Sequence, residues 1–542
     1  MPDESKRLLI AVFLCLGILF VWQAFFAPPP PKPGAADAAS DAKKPAATDG
    51  QASGSPAGPA AGTRAPAGPE TRLTYRGRRY QAEVSSRGGA LGSYRLLGHN
   101  YREWRDGKEI PVDLVQSHAA LPLEVGLEGP LAIDPGQPWR ISQEGEAEFV
   151  MVQETAQSRL TKRLRFDLTG WVADLTVRLE NRTGHAQPAR LTLHVHGRQR
   201  PDAPKSGMMT RGVRIWQAAC HANGKTERRT YEALSKEEVS QVGDISWGGI
   251  VDKYFLLAAI PVGEKQSLRC AMSAGADGEI DAAISYAERR LLPGAAEQYT
   301  FRVYLGPKSL EDLDAVSAGG REVRLGDAVD YGRLEKICRP MIWLLKQFQH
   351  VVHNWGLAII LLTIAVKLIT LYPTHRSMLS MRRMALVGPE MQKLKDKFKN
   401  DKDRLNQEVM ALYRRHNINP LGGCLPMLLQ MPIWIALYTT ISESVELYRE
   451  PFAYLADLAA PDPYFILPAV LGGLTFLQTR LTPTPSQDPQ AKMMSYMMPV
   501  MFLFFSLFVP SGLTLYWLVN TLLGMAHQLY LNRRYPLAKV AS

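Results

Sequence analysis

The chain lacks the local patterns of several large enzyme classes. No G-x-x-x-x-G-K-[ST] occurs, which excludes a P-loop nucleotide site. H-E-x-x-H and G-x-S-x-G are missing too, so there is neither a zincin helix nor a nucleophile elbow. Cysteine is scarce, five in 542 residues, and no disulfide framework is visible. Cys15 and Cys424 fall in apolar runs and read as small buried hydrophobes. Cys220 and Cys270 share a soluble region and can pair if that region is exported. His194 and His196 share one face of a predicted strand, but no third ligand stands near them, and two exposed strand histidines are the better reading. No catalytic residue, cofactor or metal is expected, and the chain does not read as an enzyme.

Charge is also nearly absent from six stretches of 17 or more residues: Leu8–Ala27, Trp355–Tyr372 with one lysine, Cys424–Ile441, Tyr464–Leu481 with Arg480 near its end, Met493–Val509 and Leu513–Leu531. Runs of that length can cross a bilayer, so a polytopic membrane protein is expected despite a mean hydropathy of −0.13. The first run follows Lys6 and Arg7, is long for a signal h-region, and has no A-x-A site before Pro28, so it reads as an uncleaved signal anchor. Between Thr374 and Pro420 there are eleven Lys or Arg against five Asp or Glu, whereas Ser442–Asp462 has Arg449 alone against five acids. The positive-inside rule then puts both termini in the cytoplasm and exports Pro28 to about His353.

The organisation expected is a signal anchor over 1–27, a Pro/Ala/Gly linker over 28–70 without structure of its own, and an all-β sandwich over 71–320. Alternating strands around 175–179, 191–195 and 299–305 support the sandwich. An amphipathic interfacial helix follows over 321–353, with Leu334, Ile337, Met341, Leu344, Leu345 and Phe348 at helical spacing and His350 and His353 at headgroup level. Five spans over 354–373, 421–441, 463–481, 493–509 and 511–531 form a helical core. Between them lie a basic cytoplasmic hairpin (374–420), an exported loop (442–462) and a cytoplasmic loop (482–492); a short tail covers 532–542. The hairpin carries two narrow stripes, Met391–Leu394–Phe398 and Leu405–Val409–Leu412, with Asp401 or Asp403 as a cap. It either connects spans or offers a basic face to lipid head groups, RNA or a protein.

The polar residues inside the spans are the candidate site. A lysine in the lipid phase costs roughly 3 kcal/mol on insertion scales, so Lys367 needs an explanation. Thr363 lies one turn before it on the same face. Gln430, Gln478, Thr514, Asn520, His527 and Gln528 stand in later spans. Two readings stay open on spacing alone. Lys367 faces a wet cavity between helices, or its stem reaches the cytoplasmic interface beyond Pro373. Met493, Met494, Met497, Met498 and Met501 offer adaptable apolar surface or face lipid.

Asn419-Pro-Leu-Gly-Gly-Cys-Leu-Pro-Met-Leu-Leu-Gln-Met-Pro-Ile-Trp-Ile-Ala-Leu-Tyr438 closely resembles a span of the YidC membrane-protein insertase family. Asn354-Trp-Gly356, Asp462-Pro-Tyr-Phe-Ile-Leu-Pro468 and Pro510-Ser-Gly-Leu-Thr-Leu-Tyr516 match its other landmarks in order. Ser85-Ser-Arg-Gly-Gly89 extends the resemblance to the Gram-negative form with a large periplasmic domain. The resemblance implies an inner-membrane insertase and chaperone with a cation-bearing hydrophilic groove, acting alone or with the Sec translocon. Its substrate-binding residues would be Lys367, where the family usually has arginine, with Thr363, Gln430, Tyr516, Trp517 and Asn520. Implied partners are nascent membrane-protein clients, the Sec translocon, the phospholipid bilayer and, through the hairpin and loops, the ribosome; the short tail argues against tail-based docking. Two other classes compete: a secondary transporter or channel using Lys367 as a substrate or ion site, though no repeat is visible, and an anchored glycan-binding or glycan-modifying protein working through its β domain.

Overall fold

In a computed structural model of the chain, the described residues are 70–105, 108–117, 119–133, 137–199, 215–263, 267–398, 401–416, 418, 421–482 and 489–535. The expected anchor, the linker up to residue 69 and the tail beyond residue 535 lie outside them, as does most of the 482–492 loop.

Strands between Glu124 and Pro307 build a large antiparallel β-sandwich. Ser158–Phe166 and Val172–Asn181 alternate buried and less buried positions along their length, because one face packs on the core and the other meets solvent. The expected strands around 175–179, 191–195 and 299–305 lie inside Val172–Asn181, Gln187–Arg198 and Ala296–Pro307. The layers are joined by one long strand, Val239–Val251. Its first half pairs with Ser267–Met272 and its last four residues with Leu256–Ala259. Gly243, at φ +140°, lies in the first half, where any side chain would strike Asn223. Cys220 and Cys270 come from different strands of this sandwich and form a disulfide.

A three-stranded sheet, Arg72–Arg76, Tyr80–Ser85 and Ala90–Leu96, packs on the sandwich through Tyr75, Tyr80 and Tyr94 against Phe166. Lys162 is buried at this seam. Its amine donates to the carbonyls of Gly89 and Leu123 and lies 5.3 Å from the Trp139 ring centroid. Gly89, at φ +52°, leaves room for that ring, which accounts for the second glycine of Ser85-Ser-Arg-Gly-Gly89.

The helical part begins with Glu335–Val352. Its buried side is Cys338, Met341, Ile342 and Leu345, packed on Leu421–Glu443 and Trp355–Ile369. Of the expected stripe, Met341 and Leu345 are buried while Ile337 is exposed, and Cys338 and Ile342 join the buried side. His353 ends the helix in the left-handed region, and Asn354 caps the next by accepting from the Leu357 amide at 3.0 Å. A Cβ at Gly356 would overlap the Phe452 ring. Asn354-Trp-Gly356 is thus a cap followed by a close approach.

Trp355–Ile369 breaks at Thr370, and Leu371–Leu386 continues at an angle of 62°. The expected single span over 354–373 is therefore two bent pieces. The Thr370 hydroxyl donates to the carbonyls of Val366 and Lys367 at 2.9 and 3.3 Å. Pro373, which has no N–H to continue the ladder, falls in the first turn of the new helix, where it is tolerated. Gly388–Lys397 and Lys402–Arg415 follow as an antiparallel pair. Val387, Met391, Leu412 and Ile418 form their core, and Asp401 supplies the cap. Leu421–Glu443, Ile466–Leu481, Pro489–Ser506 and Ser511–Arg534 complete the bundle. Among the described residues no single helix is long and apolar enough to cross a membrane; the bent pair passes together, and Ile466–Leu481 is a shorter apolar helix.

One end of the bundle is closed by the loop between Leu421–Glu443 and Ile466–Leu481. Val445, Leu447, Leu455 and Leu458 are buried there. Asp462 accepts from the amides of Tyr464 and Leu467 and from the Tyr454 hydroxyl, capping Ile466–Leu481. Ser511 donates to the Asp457 carbonyl at 2.8 Å, and the Gly512 amide to the Leu458 carbonyl at 2.9 Å. The same loop docks on the sandwich. The Tyr448 ring lies against Tyr254 and Phe255 while its hydroxyl donates to the Arg102 carbonyl. Arg449 pairs with Glu109 of the β domain, while Glu446 pairs with Lys346 of Glu335–Val352 on the bundle side.

Candidate functional site

The polar residues gather toward the other end, along one face of Ser511–Arg534. Tyr516, Asn520, Gly524 and His527 recur at spacings of four, four and three, which stacks them along a helix. Lys367 reaches this face from Trp355–Ile369 and donates to Asn520 Oδ1 at 3.1 Å. A Cβ on Gly524 would sit 3.0 Å from Gln478 Nε2 and 3.9 Å from Lys367 Nζ, so the glycine keeps open the space where these two side chains meet. Among the described residues no carboxylate pairs with Lys367.

Gln430 donates to the Tyr516 hydroxyl at 2.6 Å, linking Leu421–Glu443 to the same face. Trp517 turns to a neighbouring aromatic cluster, with ring centroids 5.7 Å from Trp434 and 5.6 Å from Phe502. Thr363 is buried and donates to its own helix, at the Ile359 carbonyl. Lys367, Asn520 and Gln478 thus meet around Gly524, Gln430 and Tyr516 form a second pair, and Thr363 and Trp517 stand apart in their bonding. Met493, Met497 and Met501 are exposed; the side chains of Met494 and Met498 lie outside the described residues, as does that of Cys424.

Two neighbours escaped sequence reading. His375 faces His527 with ring nitrogens 3.0 Å apart and rings stacked at 10°, one ring donating and the other accepting. Arg382 is buried and donates to the carbonyls of Leu531 and Tyr535 at 2.7 and 2.6 Å, and to Asn532. It satisfies carbonyls left open at the end of the last helix. Both come from Leu371–Leu386, whose bend aims them at Ser511–Arg534. The arrangement is a polar cluster with one ammonium, amides and imidazoles. It can hydrogen-bond and neutralise an acidic or polar segment.

Residues 72–344 match the YidC periplasmic domain family, and residues 347–539 match the 60Kd inner membrane protein family. A membrane protein insertase YidC from Anaeromyxobacter dehalogenans (strain 2CP-C) is 37% identical over 97% of both chains. One from Syntrophus aciditrophicus (strain SB) is 32% identical over 98% of this chain and 100% of its own. A solved structure of an active YidC insertase with its first transmembrane domain resolved is 18% identical, covers 84% of this chain and 91% of its own, and superposes with a TM-score of 0.37. With relatives this similar over nearly its whole length, the chain belongs to the YidC family of membrane protein insertases.

Proposed function

We propose that this chain inserts and helps fold proteins of the bacterial inner membrane, with the polar cluster around Lys367 as the site that receives client segments. The observation that carries this reading is the pairing of Lys367 with a neutral acceptor, Asn520. Its positive charge stays available to a client carboxylate. A client helix gains up to about 0.5 kcal/mol per apolar residue on entering lipid, while each carboxylate that crosses costs about 3 kcal/mol. A countercharge part-way along the path lowers that barrier, and an inside-negative potential adds about 2.3 kcal/mol per charge per 100 mV in the outward direction. No nucleotide and no covalent step are needed. Lysine in place of the family's usual arginine supplies charge without a bidentate fork.

The orientation that fits is both termini in the cytoplasm, the β-sandwich in the periplasm and the basic helical pair in the cytoplasm. The Cys220–Cys270 disulfide supports an oxidising location for the sandwich. The basic pair suits contact with the ribosome or lipid head groups, and the Sec translocon is a partner for larger clients. A transporter reading of Lys367 gains no support, because relatives spanning the whole chain are named insertases. Site-specific crosslinking from Thr363, Tyr516 and Trp517 to nascent chains tests the proposal. Adducts confined to translating membrane-protein clients are expected; none from any of the three positions would refute it.

A further inference from the structure

The two strand histidines acquire a third partner in the fold. The register pairs His196 with Asp281 and His194 with Ala283, two residues further on. Residues two apart on a strand share a face, so Asp281 lies beside both rings. His194 Nδ1 is 2.7 Å from Asp281 Oδ2, and His196 Nδ1 is 3.3 Å from Asp281 Oδ1. One ligand atom from each of the three residues lies within 4.8 Å of the other two. The imidazoles stack at 5.3 Å with only 4° between their planes, which presents both Nδ1 atoms to the carboxylate in parallel.

Two further observations point to a ligand. Asp281 Oδ1 is buried and receives no hydrogen bond among the described residues, although such atoms are normally satisfied. On the adjoining strand, a Cβ at Gly126 would lie 3.0 Å from His194 Nε2, so the glycine gives this ring its seat.

We propose that His194, His196 and Asp281 bind one divalent transition-metal ion on the β-sandwich, with Zn2+ the best chemical match. Two imidazoles and a carboxylate with an open fourth position form a recurrent zinc donor set. Calcium and magnesium prefer all-oxygen shells, and copper(I) prefers sulfur. Ligand bonds of about 2.0–2.2 Å in a tetrahedron place donor atoms about 3.3–3.6 Å apart, close to the 3.3 Å already present at His196 and wider than the hydrogen-bonded 2.7 Å at His194, which a bound ion would open. The histidine side chains are 30% and 14% exposed, so the ion and a completing water have access. The bound ion would cross-link Gln187–Arg198 to Glu279–Ser285. This site is independent of the insertase reading.

The test uses full-length, tag-free protein in detergent, stripped with a chelator and titrated with Co2+ and Zn2+. One equivalent of Co2+ giving the visible absorption of a tetrahedral nitrogen/oxygen site, and displaced by Zn2+, is expected. Asp281→Asn and His196→Gln should each weaken binding at least about tenfold, while the exposed His185→Gln retains it. Circular dichroism and melting confirm that each variant is folded; His196→Gln keeps the test intact if Asp281→Asn is not. Absence of stoichiometric binding in the wild type overturns the proposal. So does binding that survives in a folded variant of either ligand.

Discussion

Lys367 Nζ lies 3.1 Å from Asn520 Oδ1, so the cation of the bundle rests on a neutral amide contributed by another helix. A client carboxylate can replace or join that amide without displacing an existing ion pair. A hydrogen bond to a charged group contributes about 1.5–3 kcal/mol. Lys367→Ala and Lys367→Glu should therefore slow insertion of clients with acidic translocated tails roughly tenfold or more, and of neutral-tailed clients much less. Lys367→Arg should retain activity. Reconstituted insertion assays with paired clients decide this; equal rates for wild type and Lys367→Glu on both would remove the electrostatic role.

Gly524 tests the space rather than the charge. Alanine there presses only on the movable end of Gln478, at 3.0 Å, so Gly524→Ala should cost little. Gly524→Leu should fill the space beside Lys367 and block insertion while melting temperature and expression stay near wild type. If Gly524→Leu inserts normally, the space beside Lys367 is not where clients pass.

The Asn354-Trp-Gly356 corner predicts a rescue. Asn354→Ala removes a cap and should destabilise by about 1 kcal/mol. Gly356→Val drives a side chain into Phe452, an overpacking that costs about 1–3 kcal/mol or more. Pairing it with Phe452→Ala should recover much of the loss. Thermal melting of the two single variants and the double variant checks the coupling, which vanishes if the Phe452 ring is not the obstacle.

Lys162 makes a pH prediction. Burial lowers its amine to about 7, with Glu124 working the other way. An unfolded lysine titrates near 10.4. Between these values the unfolded chain binds a proton that the folded chain does not, so this group makes stability rise with pH across the window. Its contribution is complete above the unfolded value and is lost as pH falls through about 7. Lys162→Met should flatten the dependence of melting temperature on pH between about 7 and 9.5. It should also lower stability by about 1–3 kcal/mol through the unsatisfied Gly89 and Leu123 carbonyls. Parallel slopes for wild type and variant would contradict the assignment.

The helical pair Gly388–Lys397 and Lys402–Arg415 has a core small enough to break with one change. Leu412→Asp puts a carboxylate against Val387, Met391 and Ile418. It should unfold the pair and abolish insertion while leaving the β-sandwich protected from protease. Normal insertion with a disordered pair would make this element a mere connector.

The sequence made some of this legible and hid the rest for identifiable reasons. Alternation around 175–179 and 299–305 located strands because one-sided burial imposes period two. Thr363 and Lys367 could be placed on one helix face, since a single unbroken helix carries both. His375 could not be added, because the break at Thr370 destroys the register beyond it. Asp281 was invisible beside His194 and His196, since strand pairing brings it in from a sequence separation of 87. The family landmarks could be matched as strings. Two of their physical reasons, the Asp462 cap and the Gly512 approach to Leu458, depend on a loop whose path no periodicity reveals, while the Asn354 cap is local to its own helix.

That loop also carries a mechanical consequence. Tyr448 is clamped between the sandwich rings and the Arg102 carbonyl, and Ser511 and Gly512 are stitched to the same loop from the bundle side. Opening this end would mean breaking two dockings at once, whereas several side chains of Ile466–Leu481 and Pro489–Ser506 already lie open at their flanks. A segment entering from the polar end would therefore meet a packed wall ahead and exposed apolar side chains beside it. The free energy of entering lipid, not the scaffold, would then give such a segment its sideways direction.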